Sequence, residues 1–430
     1  MDQTDRSSAL INVEDARTTV LSHMALMPAE QLGIIEGFGR ILAQDIVSDM
    51  DISPFDNTAM DGFAVRFADF EGAGNSVNEQ SPLTLNIVGV IGAGEVYRDT
   101  LQPGEALRIM TGAPLPTGAD TVVKIEDTVV IGESASCPEG RQVCFSRMPK
   151  HGEHVRSKGE EARKGDVLLR VGERINSPAA GLLASTGNAT VPVYRKPRVA
   201  IISTGNELVD VTAIPGPGQI RSSNSYSLAA ATIEAGGIPV IMPIVGDTYE
   251  ALRDALANAT AAHDLIVTSG GAAAGDFDFI TPVVQELGEL FFNKVNMKPG
   301  KAQTFGIIKG TPFFGLPGNP GAASVGFELL VRPALRKMQG IASLDRPVTK
   351  ALLTQPVKNR DETRRLYLRA QLERDKDGSY RVTPQPNQSS ALLGALKRSN
   401  CLMIVPEASG SLEAGTLMDC LRLDMEEGAV

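Results

Sequence analysis

From Pro197 to Met338, short apolar runs alternate with segments of helical spacing, and three of those runs end in glycine-rich loops. Arg198–Ser203 reads as a strand leading into Thr-Gly-Asn-Glu-Leu, followed by a helix capped by Asn224 or Ser225 and running through Ala235. Ile238–Val245 reads as a strand and Tyr249–Ala259 as a helix. Asp264–Thr268 is a strand ending in Ser-Gly-Gly, and Thr281–Leu287 a short helix. Pro312–Leu316 is a strand entering Pro-Gly-Asn-Pro, and Ala322–Met338 a long helix. Strands this apolar need cover on both faces, so the alternation predicts a doubly wound, parallel α/β sheet. Such sheets bind ligands outside the carboxyl ends of their strands. The loops Ser203–Leu208, Ser269–Asp278 and Leu316–Pro320 fall there.

The flanking segments have another texture. Within residues 44–150, Leu83–Val90, Ala106–Met110, Thr121–Ile125 and Gln142–Phe145 are β-like runs separated by Gly, Pro and Asn, an all-β pattern. Near the other end, Arg364–Glu373 and Ser379–Thr383 flank Asp-Lys-Asp-Gly, a hairpin signal, and Leu402–Pro406 and Leu417–Leu423 supply further strands. Residues 12–27 predict a helix with Asn12 as N-cap and Pro28 as stop, and another helix falls near 177–186. The fold class is therefore α/β plus β, in several domains, since 430 residues exceed one ordinary core. The expected division is 1–45 with 151–195 as a discontinuous N-terminal or linker domain, 46–150 as a β-rich domain, 196–343 as the α/β domain, and 344–430 as a C-terminal β-barrel-like domain.

Composition narrows the function classes. A formal net charge of −10 argues against a non-specific nucleic-acid surface. The four cysteines, Cys137, Cys144, Cys401 and Cys420, form no C-x-x-C pair, and there are only four histidines, which argues against structural zinc. So few cysteines fit a reducing, cytoplasmic setting. The polar start Met-Asp-Gln-Thr-Asp-Arg lacks a signal-peptide pattern, and no apolar run is long enough for a membrane span.

Chemistry-bearing residues gather in a few places. Residues 54–66 carry Asp56 and Asp61 around Asn57 and Thr58, with Gly62 next; such a stretch makes a turn or offers oxygens to a hard cation. Glu207, Asp276 and Asp278 put carboxylates on the first two α/β loops, and the helix start after the third loop favours an anion. Lys294, Lys298 and Lys301 surround Pro299-Gly300, as a solvated edge or an oxyanion site. Arg364, Arg365 and Arg369 form a second basic group.

Six of these segments occur in one order: Asp56-Asn-Thr-Ala-Met-Asp-Gly-Phe-Ala-Val-Arg66, Arg108-Ile-Met-Thr-Gly-Ala-Pro114, Ser203-Thr-Gly-Asn-Glu-Leu208, Ser269-Gly-Gly, Lys298-Pro-Gly-Lys301 and Gly315-Leu-Pro-Gly-Asn-Pro320. Together they resemble the molybdopterin molybdotransferase family of molybdenum cofactor biosynthesis, which includes the E domain of gephyrin. The resemblance covers essentially the whole chain. It implies a transferase that cleaves adenylyl-molybdopterin in a Mg²⁺-dependent step and inserts molybdate, its second substrate, into the dithiolene, giving molybdenum cofactor and AMP. It implies a molybdopterin-binding-like α/β domain and a homodimer, with the molybdopterin adenylyltransferase as a further partner. By motif position it assigns Asp61, Thr111, Glu207 and Asp278 to catalysis, with Glu207 and Asp278 holding the metal. It assigns Asp247, Lys294, Lys298, Lys301, Pro317, Pro320, Arg364 and Ser390 to substrate and anion binding, and implies that Asp61 and Thr111 reach the cleft from the second subunit. Hydroxyls of the family pattern are absent at Ala273, Phe279 and Ala322. That absence motivates a second reading, a divergent paralogue that binds molybdopterin or scaffolds cofactor assembly without efficient insertion. A third reading, apart from the resemblance, is a Mg²⁺-dependent nucleotide phosphohydrolase.

Overall fold

The computed structural model describes residues 10–73, 77–132, 141–271, 279–359 and 363–425. The chain divides into two compact units, one of residues 32–39 with 44–191 and the other of residues 1–31, 40–43 and 192–430.

In the larger unit the first element is helix α1 (Val13–Ser22), whose N-cap Asn12 accepts from the Asp15 amide. It stops five residues before the predicted end. Met24 and Met27 are buried, and the Met27 amide donates to Met338 O, so tertiary burial rather than helical continuation claims these residues.

The smaller unit centres on a six-stranded sheet. Its strands are β1 (Gly62–Val65), β2 (Leu83–Ile91), β3 (Glu105–Ile109), β4 (Thr121–Lys124), β5 (Thr128–Ile131) and β6 (Gln142–Phe145), in the order β4-β1-β3-β2-β6-β5. One face buries Phe63, Val65, Ile87 and Phe145; the other buries Ala64, Ile91, Leu107 and Val122. That is the period-two alternation expected of strands covered on both faces. Gly62 sits where a Cβ would lie 2.1 Å from Val123 O, so the Asp-Gly pair is set by close strand approach as well as by the bend before it.

The larger unit continues with β7 (Arg198–Ser203), α2 (Ser223–Glu234), β8 (Ile238–Ile241), α3 (Tyr249–Ala259), β9 (Leu265–Ser269), α4 (Ile280–Leu287), β10 (Gly288–Phe292), β11 (Thr304–Ile308) and β12 (Thr311–Leu316). The sheet order is β8-β7-β9-β12-β11-β10. Strands β8, β7, β9 and β12 are parallel, while β11 and β10 add antiparallel strands at one edge. The sheet is thus mixed, not wholly parallel as the sequence predicts. The missed pair lies in the segment read only as a lysine run and a loop. Val199, Ile201, Val267 and Phe314 pack on one face with α1 and the 323–338 helix, and Ala200, Ile202, Ile266 and Phe313 on the other with α3 and α4. After β12 the chain enters α5 (Pro320–Gly326), a π turn (Phe327–Val331) and a last helical segment (Arg332–Met338), where the sequence predicts one uninterrupted helix.

The C-terminal strands are β13 (Val348–Leu353), β14 (Arg365–Arg374), β15 (Tyr380–Pro384), β16 (Cys401–Val405) and β17 (Leu417–Arg422). Their order β14-β15-β13-β17-β16 closes because β14 also pairs with β16, giving a small barrel. The predicted hairpin between β14 and β15 is present, with Gly378 at φ +88° in its turn. The short strand Met297–Lys298 extends this sheet beside β14.

Candidate functional site

The chain leaves β7 for β8 on one side and returns to β9 on the other, so the sheet reverses its order between β7 and β9. At such a switch point the loops part and leave a crevice. Here a cavity of about 660 Å³ opens over the carboxyl ends of β7, β9 and β12.

Each wall is held by backbone geometry. On the first loop Gly205 adopts φ +151°, and a Cβ there would meet the Glu207 carboxylate at 2.5 Å. Glu207 is exposed at the mouth. The Asn206 amide donates to Asp247 Oδ2 at 3.0 Å, and the Asp247 amide donates to Asn206 Oδ1 at 3.2 Å, so the two loops brace each other. On the second loop Gly270 and Gly271 take φ of +97° and +68°, and the Gly270 amide donates to Leu316 O. The third loop, Pro317–Pro320, runs into α5, whose Gly321 amide donates to Ser390 O at 2.7 Å.

That last bond alters one expectation. The sequence points to the helix start after Pro320 as an anion site, but the Gly321 amide is taken by Ser390 O, and the Ala322 and Ala323 amides by Asn319 O. A second helix start at the cavity wall is that of α2, which contributes Ser222, Ser223 and Asn224. Its N-cap is Ser222, with no side-chain capping bond. Ser222 Oγ lies 2.7 Å from Ser225 Oγ, which lies 2.8 Å from Ser203 Oγ.

Of the residues picked out in the sequence, Glu207, Asp247, Pro317 and Pro320 line this cavity. Ser390 is not in the lining but accepts from the Gly321 amide, and its neighbour Ala391 is in the lining. Lys298 and Lys301 flank the turn at Gly300, where a Cβ would lie 3.2 Å from Ala322 O, so this turn packs on the first turn of α5. Lys294 is half-buried and its carbonyl accepts from the Ile11 amide. Arg364 precedes β14, beside the Lys298 strand. None of these four basic residues is in the cavity lining among the described residues. Asp278 lies outside the described residues, as do Asp276 and Ala273.

Asp61 and Thr111, in the smaller unit, are together. Asp61 Oδ1 accepts from the Thr111 amide at 2.7 Å and from Thr111 Oγ1 at 2.6 Å. The Thr111 hydroxyl, then its amide, and more weakly the Arg108 charge hold the Asp61 carboxyl below the usual carboxylate range. Asp61 is exposed and carries its negative charge at neutral pH.

Sequence reasoning missed Asn224 in the lining, named Asn319 only as part of the third loop, and gave Arg369 no role. Arg369 is fully buried; its Nη2 reaches Ser389 O at 3.4 Å, its Nε and Nη1 have no partner, and burial alone pushes its guanidinium pKa down. Its Nη1 lies 2.8 Å from where a Gly321 Cβ would stand. Asn224 read only as a helix cap, and nothing local marks Arg369 as the buried member of its basic group.

The polar groups at the mouth are suited to a hard cation, because Glu207, Asp247 and the surrounding hydroxyls are all oxygen donors. Among the described residues no three His, Cys, Asp or Glu side chains cluster as a metal cage. Mg²⁺ does not need one, since one or two carboxylates, water and substrate phosphates complete its shell. The residues present therefore fit Mg²⁺.

Comparison with known proteins agrees along the whole chain. Residues 11–187 match the MoeA N-terminal region (domain I and II), residues 200–337 a probable molybdopterin binding domain, and residues 350–423 the MoeA C-terminal region (domain IV). Proteins named molybdopterin molybdenumtransferase from Staphylococcus aureus (strain COL) and Staphylococcus epidermidis (strain ATCC 12228) are each 34% identical over 412 residues, covering 96% of this chain and 95% of the relative. A crystal structure of a molybdopterin biosynthesis MoeA protein from Pyrococcus horikoshii superimposes with a TM-score of 0.83 at 34% identity, covering 97% of this chain and 100% of the other. A second, from strain OT3, gives 0.76 at 27% identity, covering 96% and 99%.

Proposed function

The chain belongs to the molybdopterin molybdenumtransferase (MoeA) family of enzymes, and from that premise we propose that it binds adenylylated molybdopterin, releases AMP and inserts molybdate at the dithiolene sulfurs. The observation that carries the proposal is the cavity at the switch point, with Glu207 and Asp247 at its mouth and the α2 N-terminus in its wall. Its volume of about 660 Å³ is in the range of small-molecule sites.

The chain's own groups divide the work. Water adds to one phosphorus as the phosphoanhydride P–O bond breaks, which leaves negative charge on the departing AMP and on the terminal phosphate of molybdopterin. Donors fixed in advance stabilise that charge without reorganising. The α2 amides and Arg221 are such donors in the lining. Lys298 and Arg364 bind the oxyanions, with Lys294 and Lys301 adding positive potential around the same turn. Pro317, Pro320 and Ser390 shape the wall. Glu207 and Asp278 would hold Mg²⁺, which would supply charge neutralisation for the phosphates, and Asp247 takes part in substrate binding. Asp61, kept ionised by Thr111, places a negative charge at the reacting centre; in a homodimer it comes from the second subunit. No helix among the described residues is long and apolar enough to cross a membrane. We place the enzyme in the cytoplasm, receiving its substrate from a molybdopterin adenylyltransferase.

The test is AMP release from adenylyl-molybdopterin by purified protein with Mg²⁺, with and without molybdate. Release that depends on molybdate and Mg²⁺ is expected. Tight ligand binding without release would favour a scaffold, and AMP release from simple dinucleotides lacking a pterin would favour a phosphohydrolase.

A further inference from the structure

We propose that Asn224 is a positioning residue for this reaction, a side chain that, together with Ser269, fixes the Pro317–Pro320 loop in its ligand-receiving shape; the inference rests on the functional reading above. Asn224 stands in the first turn of α2, is 8% exposed and lines the cavity. Its Nδ2 donates to Ser269 Oγ at 2.7 Å and to Gly318 O at 2.8 Å. A carbonyl oxygen can only accept, so the amide orientation is chemically fixed and both Nδ2 hydrogens are used. Ser269 Oγ, having accepted one of them, donates to Pro317 O at 3.3 Å. A single amide therefore holds the second loop directly and two successive carbonyls of the third.

The third loop has few other means of being held. Pro317 and Pro320 have no N–H, and among the described residues no other bond reaches the Pro317 or Gly318 carbonyl. Asn224 Oδ1 has no partner, so it is the donor half of the amide that this position uses. Asn224 and Ser269 are buried while Gly318 and Asn319 are exposed, so these two side chains tie an otherwise solvent-facing loop to the sheet.

The Asn224→Asp variant keeps the shape and removes the donors. Ionised, the aspartate has no hydrogen to give and faces the Gly318 carbonyl; protonated, it can give one. Its kcat for AMP release is expected to fall roughly 100-fold at pH 8 and to recover partly toward pH 5, a pH dependence absent from the parent. Hydrogen exchange, followed without substrate, is expected to quicken at the Gly318, Asn319 and Gly321 amides while the unfolding transition stays cooperative. Parental kcat and parental exchange in the variant would overturn the proposal, and so would lost activity with parental exchange at those amides. If Asn224→Asp does not fold, Ser269→Ala removes only the relay to Pro317. It should lose about tenfold in kcat with quicker exchange in the same loop; an unchanged loop would again overturn the idea. A parent protein that releases no AMP would sink the functional reading instead, and the exchange comparison would still decide the role of Asn224.

Discussion

The two polar clusters of this protein, one in each unit, are braced in opposite ways. At the cavity, neutral side chains hold backbone carbonyls: Asn224 on Gly318, and Ser269 on Pro317. In the smaller unit, backbone and hydroxyl donors of Thr111 converge on one exposed carboxylate, Asp61. Bonds from buried neutral side chains carry shape, because a buried donor that loses its partner is costly. Exposed charge-assisted bonds chiefly set a charge state, because solvent screens their contribution to stability. Substitutions at the cavity should therefore alter folding and activity together, and substitutions at Asp61 should alter chemistry alone.

The largest expected effect tests the second half of that contrast. Asp61→Asn keeps the shape and removes the charge, and should cut AMP release or molybdenum insertion roughly 1000-fold. Its denaturant unfolding curve should overlay that of the parent, as for other exposed sites. Undiminished insertion would remove Asp61 from the reacting centre, and a large loss of stability would erase the contrast.

Next comes Gly321→Ala, which tests the first half. The new methyl would lie 2.8 Å from Arg369 Nη1 and 3.0 Å from Ser390 O, a buried head group and a backbone atom. Denaturant unfolding should show a loss of about 2 kcal/mol, accompanied by weaker substrate binding. A variant as stable as the parent would mean that this wall yields easily and is not a brace.

The smallest effect is expected from Thr111→Val. It removes the hydroxyl, the first cause of the depressed Asp61 pKa, and leaves the amide bond in place. The Asp61 carboxyl should then titrate higher, nearer the ordinary value, as followed by NMR of the side-chain carboxylate. The sign follows from the depression: the Thr111 contribution is present above the unfolded aspartate pKa, near 4, and fades as pH falls through the folded value. Parent and variant should thus differ in stability slightly at neutral pH and converge in acid. An unmoved titration would show that the amide alone sets the charge state.

Much of this arrangement was legible from local pattern. The apolar runs of β7, β9 and β12 and the glycine exits after them follow from local rules, and they placed Glu207, Pro317 and Pro320 at one end of a sheet. The antiparallel pair β10 and β11 was not legible. Gly288–Phe292 follows directly on α4, and Thr304–Ile308 was hidden behind the lysine run. The end of α1 was misjudged because helical spacing continues to Met27 while the backbone does not. The partner of the helix start after Pro320 was not legible for a related reason: the carbonyl that takes its Gly321 amide belongs to Ser390, in the C-terminal barrel segment.

By itself, then, the sequence determined the alternation that makes the α/β sheet, the exits that make a cavity at its switch point, and the ordered motifs that mark the family. Those are properties of short stretches, decided by period, backbone freedom and side-chain type within a few residues. Only the tertiary structure decided which carbonyl takes the Gly321 amide, which arginine is buried, and that Asn224 holds a loop 94 positions away. Each of these depends on which partner arrives from a distant segment to satisfy a buried polar group, and no local pattern encodes that partner.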